Sequence, residues 1–151
     1  MRSPRSGSKA AVAAEVWRQL FDFIIATSSH REQVLERYAL TPNDSRALFT
    51  LDAERGKTMR ALATRWGCDA SNATWVVDRL ERLGLAERKG LPADRRVKLV
   101  VLTPKGVKTK AALAEELYRP PPELLELHRA DLQVLRDAAQ KLRRPDAKQV
   151  E

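Results

Sequence analysis

Cys68-Asp69-Ala70-Ser71-Asn72-Ala73-Thr74-Trp75-Val76-Val77-Asp78-Arg79-Leu80 is the stretch whose reading decides the fold. Ala73, Val76, Val77, Leu80 and, beyond it, Leu83 recur at helical spacing and mark a buried face. The opposite face carries Ser71, Thr74, Trp75 and Asp78, flanked by Asn72, Arg79 and Arg82. Short hydrogen-bonding groups near the helix start, with cations further along, suit a helix that enters a DNA groove: base contacts come first, phosphate contacts around them. Asp69 can cap this helix, and its charge suits the positive helix end. Upstream, a helix over Met59 to Trp66 can be capped by Thr58 and closed by Gly67, where a left-handed backbone favours glycine. Its residues Leu62, Ala63 and Trp66, with Cys68, are apolar or small, and Ala63 lets two steeply crossing helices approach. By phase Trp75 points outward, where it has no packing reason to be. Contact with DNA is the favoured reading; packing against the hairpin or against dimer helices is the other.

Downstream, Gly84 ends the helix, and Leu85 to Lys89 and Val97 to Leu102 read as two strands, the latter β-branched at Val97, Val100 and Val101. The loop between them ends in Asp94-Arg95-Arg96. This is either a solvated hairpin tip or a wing whose arginine, Arg96 with Arg95 beside it, enters the minor groove while Asp94 sets its direction. Charge separates the two. Leu85 to Lys110 holds eight basic residues (Arg88, Lys89, Arg95, Arg96, Lys98, Lys105, Lys108, Lys110) and two acids, a net +6, against +8 for the whole chain. Ala111 to Leu142 holds six acids and four bases, a net −2. A positive field focused on one hairpin is the footprint of a polyanionic partner. Arg79 and the wing cations, Arg88 and Lys98 among them, are the phosphate candidates; Ser71, Asn72, Thr74 and Trp75 are the base-facing ones.

Taken together, Leu62-Ala63, Gly67, Asp69 to Thr74, Val77 to Glu81, Gly84-Leu85, Asp94-Arg95-Arg96 and Leu102-Thr103-Pro104-Lys105-Gly106 resemble the MarR family of bacterial transcription regulators. The family's Asp-x-Arg wing signature would be Asp94 and Arg96; its Leu-Thr-x-x-Gly signature would be Leu102, Thr103 and Gly106. The resemblance implies a mainly α (α+β) winged helix-turn-helix, with N- and C-terminal helices forming a homodimerisation region. It also implies a small-molecule effector, often an aromatic or phenolic anion, bound between dimer helices and winged domain. No residue identifies that effector.

The rest of the chain fits one domain. With 151 residues it can bury a core. Residues 1–9 read as a basic disordered tail, residues 10–143 as a single domain, and residues 144–151 as a second tail. Within the domain, 10–51 supplies N-terminal helices, 58–106 the winged unit and 107–143 C-terminal dimerisation helices. One long helix is expected from Ala10 to about Tyr38, weak at Thr27-Ser28-Ser29. A second starts at Thr41-Pro42 and runs to about Leu51, with Ala47, Leu48 and Leu51 inward. Another starts at Pro104, runs to about Arg119 and must stop before Pro120-Pro121-Pro122. A short helix over Glu123 to Leu127 and a last one over Arg129 to Arg143 follow, the latter with Leu132, Leu135, Ala139 and Leu142 on one face. The triple proline departs from the unbroken helix often seen in the family.

No run approaches the roughly 20 apolar residues of a membrane span, no apolar core of a signal peptide follows Met1, and a single cysteine cannot form an internal disulfide. A cytoplasmic protein without membrane contact is expected. Cys68 precedes a helix start, which favours thiolate, but its phase is core-side, where cysteine is a small hydrophobe. His30 and His128 stand alone in sequence, so no metal site is expected. No phosphate-binding glycine loop or nucleophile elbow is present, so no enzyme and no cofactor are expected. The function read here is a sequence-specific regulator of double-stranded DNA, a dimeric repressor on a pseudo-palindromic operator. The alternatives are an architectural DNA-binding protein without effector and a protein-interaction module.

Overall fold

The computed structural model describes residues 7–91, 93–94 and 96–142. The chain folds as α1 (Lys9–Ala26), α2 (Ser28–Arg37), α3 (Pro42–Thr50), β1 (Lys57–Thr58), α4 (Met59–Trp66), α5 (Ala70–Arg82), β2 (Ala86–Gly90), β3 (Lys98–Leu102), α6 (Pro104–Leu117), α7 (Pro122–Leu125) and α8 (Arg129–Lys141). It divides into two compact units, Met1–Tyr118 and Arg119–Glu151.

The elements follow from local chemistry. Thr41 and Asp44 close a capping box on α3: Thr41 N–H donates to Asp44 Oδ2 at 2.7 Å, and Asp44 N–H to Thr41 Oγ1 at 3.1 Å. Pro42 at the first turn costs no hydrogen bond. Thr58 caps α4 by accepting Ala61 N–H at 3.2 Å, and Gly67 ends it at φ 64, a left-handed backbone that suits glycine. Asp69 caps α5 by accepting Asn72 N–H at 2.7 Å.

Three expectations change. The helix read from Ala10 to Tyr38 is two helices. At Thr27 the backbone departs from helical values (φ −94, ψ 5), and the threonine Oγ1 donates to Phe23 O at 2.8 Å. Such back-bonding by a short hydroxyl weakens a helix, and two serines follow at once. Lys9 is already helical, and Ser8 caps it by accepting Ala11 N–H at 3.1 Å, where both residues were expected in the tail of residues 1–9; residues 1–6 lie outside the described residues, as does the expected tail of residues 144–151. The hairpin is joined by a third strand. The sheet is antiparallel in the order β1-β3-β2, with Lys57 opposite Val100, Ala86 opposite Leu102 and Gly90 opposite Lys98. A two-residue strand leaves no periodicity to read. The remaining helix ends shift by a residue or two, as terminal turns do.

The core of the first unit gathers Val34, Leu35, Ala47, Leu48, Leu51, Leu62, Val77, Leu80, Val100 and Leu113, all buried. Arg37 and Tyr38 both donate to the Glu116 carboxylate, Tyr38 Oη at 2.7 Å, which ties α2 to α6. The hairpin's root is locked by Thr103, whose Oγ1 donates to Gly84 O at 2.6 Å and accepts Gly106 N–H at 3.0 Å. A Cβ on Gly106 would stand 1.9 Å from Leu85 O, so only glycine lets α6 start there. The result is a mainly helical winged helix-turn-helix with a small three-stranded sheet. In the second unit, α7 and α8 contain no buried residue. No helix among the described residues is long and apolar enough to cross a membrane.

Candidate nucleic-acid interface

α5 has two faces of opposite character. Ala73, Val76, Val77 and Leu80 are at most 5% exposed and pack over α4, whose Leu62, Ala63 and Trp66 form the other side. Trp66 keeps its indole N–H satisfied by donating to Thr50 Oγ1 at 2.9 Å, and Arg46 Nη2 donates to Trp66 O at 3.1 Å, so α4 is pinned to α3. The other face of α5 exposes Ser71, Asn72, Thr74, Trp75, Asp78 and Arg82. Among the described residues, the side chains of Ser71, Asn72 and Thr74 have no hydrogen-bond partner, so their donors and acceptors face outward unspent. Trp75 is 51% exposed, as its phase required.

Arg79, read as a phosphate contact, is half-buried and engaged by the protein itself. Its Nε donates to Asp44 Oδ2 at 2.8 Å and its Nη2 to Ala39 O at 3.2 Å, and its guanidinium carbon lies 5.9 Å from the centroid of the Trp75 ring. Arg88, also read as a phosphate cation, is similarly engaged. From β2 its backbone N–H donates to Glu81 Oε1 at 3.0 Å, its Nη1 bonds Glu81 Oε2, and its Nη2 donates to Asp78 Oδ1 at 2.8 Å. That fork fastens the hairpin to the outer edge of α5 and fixes the angle between them.

At the hairpin tip, Asp94 Oδ1 accepts the backbone N–H of Arg96 at 2.9 Å, so the aspartate shapes the turn from which Arg96 projects. Arg95 lies outside the described residues. Arg96, Lys98 and Lys108 are exposed and make no ion pair among the described residues, whereas Lys89 pairs with Glu87 at 3.0 Å. Two further lysines are spent on helix ends: Lys105 Nζ donates to Leu83 O at 2.8 Å at the end of α5, and Lys110 Nζ to Leu51 O at 2.7 Å at the end of α3. Both acceptors are neutral, so these charges still add to the positive field of the hairpin.

Sequence reasoning missed Asp44. It is fully buried, and its partner Arg79 lies 35 residues away. The only local signal was the spacing Thr41-x-x-Asp44, which marks a cap and says nothing of a salt bridge. Cys68 is partly buried against the core and lines a depression of about 200 Å³ with Arg46 and Asn72. His30 Nε2 lies 3.3 Å from Glu116 O, and His128 precedes α8 without a side-chain cap. No cluster of metal-ligating side chains occurs among the described residues.

A family model described as MarR family matches residues 40–97, which takes in α3, β1, the helix pair and β2 and stops just before β3. Over 80 residues the chain is 28% identical to the HTH-type transcriptional regulator MhqR of Bacillus subtilis (strain 168), a match that takes in 53% of this chain and about half, 55%, of that relative. Among solved structures, a MarR family protein from Bacillus stearothermophilus superposes with a TM-score of 0.72 at 28% identity, covering 90% of this chain and 96% of that one. A crystal structure of an S. aureus MepR–DNA complex superposes with a TM-score of 0.62 at 21% identity, covering 81% of this chain and 98% of that one.

Proposed function

We propose that the chain, which is similar to MarR family proteins over residues 40–97 and in its fold, is a member of that family and a dimeric, sequence-specific regulator of double-stranded DNA. The observation that carries this is the free polar face of α5, mounted on a packed helix pair and flanked by a hairpin with an exposed cationic tip. A helix that presents Ser71, Asn72, Thr74 and Trp75 outward, with the opposite face locked in a core, has the form needed to sit in a major groove. Arg96 then reaches the adjacent minor groove, with Arg95 beside it, and Lys98 neutralises backbone phosphate. Arg79 and Arg88 hold the parts in register.

Dimerisation is supported by apolar surface that a monomer leaves wet. On α1, Val12, Val16, Leu20 and Ile24 form one exposed row and Trp17, Phe21 and Ile25 the neighbouring one. On α8, Val134 and Leu135 are exposed. Apolar helical stripes of this kind are interaction surfaces, and pairing two copies through them gives a two-fold protein for a pseudo-palindromic operator. The regulator acts as a repressor, released by a small aromatic or phenolic anion that binds the DNA-incompetent arrangement more tightly. Such a ligand works only through its differential affinity for the two arrangements.

Hydroxyl-radical footprinting on the intergenic DNA upstream of the protein's own gene tests this. Two protected half-sites about 10 base pairs, one helical turn, apart are expected. Uniform protection along the duplex would instead describe an architectural protein.

A further inference from the structure

We propose that Arg79 is a positioning residue of the recognition helix: anchored by the buried carboxylate of Asp44, it holds Trp75 in the orientation that reads DNA. This rests on the DNA-reading role proposed above and gives Arg79 and Asp44 a part in sequence selectivity instead of phosphate contact.

Asp44 is fully buried, and both donors that reach it, Thr41 N–H at 2.7 Å and Arg79 Nε–H at 2.8 Å, share Oδ2. Its Oδ1 has no hydrogen-bond partner among the described residues. A capping box alone does not need a buried carboxylate, since caps work at the surface. A carboxylate taken out of water is tolerated when an opposite charge accompanies it, and Arg79 is that charge. A second anchor is Ala39 O, which accepts from Arg79 Nη2 at 3.2 Å at the turn between α2 and α3, where Ala39 itself sits at a left-handed φ of 54. Two anchors on different segments fix the plane of the guanidinium. Trp75 lies one turn earlier on the same face of α5, with the guanidinium carbon 5.9 Å from its ring centroid. An indole as exposed as this one would otherwise sample several rotamers. The arginine therefore transmits the position of α3 to a side chain on the reading face, and removes ordering that binding would otherwise require.

The test compares wild type, Arg79→Lys, Trp75→Ala and the double variant on operator and shuffled duplexes over a series of salt concentrations. Lysine keeps the charge and a long stem, but one ammonium cannot serve Asp44, Ala39 and the ring together. The expected result is a loss on the order of tenfold in the operator-to-shuffled affinity ratio for Arg79→Lys, an unchanged salt slope, and no further loss from it in the Trp75→Ala background. Asp44→Ala, which removes the oxygen that Arg79 and Thr41 share, should reproduce the loss, and it carries the test if Arg79→Lys does not fold. Retained selectivity, or losses that add in the double variant, overturns the proposal. So does a salt slope lowered by about one in Arg79→Gln with equal weakening on both duplexes, which would make Arg79 a phosphate contact. A wild type with no operator preference overturns the DNA-reading role itself and this inference with it.

Discussion

Gly106→Ala tests how the hairpin is joined to the body of the protein. The new Cβ would lie 1.9 Å from Leu85 O, 2.9 Å from Leu85 C and 3.3 Å from Leu102 Cδ2. Reaching even 3.0 Å from the oxygen requires a shift of 1.1 Å (3.0 − 1.9), and the obstacle is backbone. Leu85 O cannot retreat freely, because it accepts Thr103 N–H at 3.1 Å; nor can Gly106, whose N–H is held by Thr103 Oγ1 at 3.0 Å. Overpacking of this kind costs about 1–3 kcal/mol, and loosening two hydrogen bonds adds about 1 kcal/mol each. Alanine's higher helix propensity returns up to about 1 kcal/mol. The net is a destabilisation of about 2–4 kcal/mol, which for a chain of this size lowers Tm by roughly 10 °C. Thermal unfolding followed by circular dichroism, with urea titration as a second measure, reads this directly. A Tm within about 2 °C of wild type, on the same scale, would refute the steric reasoning and the placement of α6 against the hairpin root.

Other expectations follow from single side chains. Arg88→Ala should release the hairpin from Asp78 and Glu81 and weaken DNA binding while changing the melting temperature little, because the pairs are partly exposed; equal affinity by fluorescence anisotropy would remove the clamp from the account. Arg96→Ala should weaken binding by about 1–3 kcal/mol and reduce the salt slope, without affecting the fold; unchanged affinity would take the wing tip out of the interface. Asp52 is held below the usual carboxylate range by accepting backbone N–H groups from Arg55 first and Glu54 next. A lowered folded value means the contribution is present above the ordinary aspartate pKa and is lost as pH falls through the folded one. The melting difference between wild type and Asp52→Asn should therefore shrink on acidification, and a gap independent of pH would show that the charge is not what matters.

Much of this architecture could be read from the chain because its signals are local. Thr58, Gly67 and Asp69 bracket α4 and α5 by cap chemistry that involves residues three apart, and the core row of α5 is a simple periodicity. The exposure of Trp75 followed from that same phase. What stayed hidden depends on residues brought together by folding. Arg79 and Arg88 look like free cations in sequence, where a surface arginine and a clamping arginine are the same letter. Only packing reveals that Asp44 waits beneath one and that Asp78 and Glu81 flank the other. Lys105 and Lys110 were counted correctly as charge, yet their position at two helix ends is tertiary. The Thr27 break was visible as a weak patch, but whether a helix runs through such a patch depends on what its neighbours pack against. The strand β1 was too short to leave a pattern.

The central claim is that the outward face of α5 reads base sequence. The most direct measurement is a titration of the purified protein against DNA from its own upstream intergenic region at physiological salt, with shuffled duplex as competitor. The account predicts binding by a dimer that resists shuffled competitor at roughly 1,000-fold excess or more, as specific regulators do. Equal affinity for the two duplexes would contradict it.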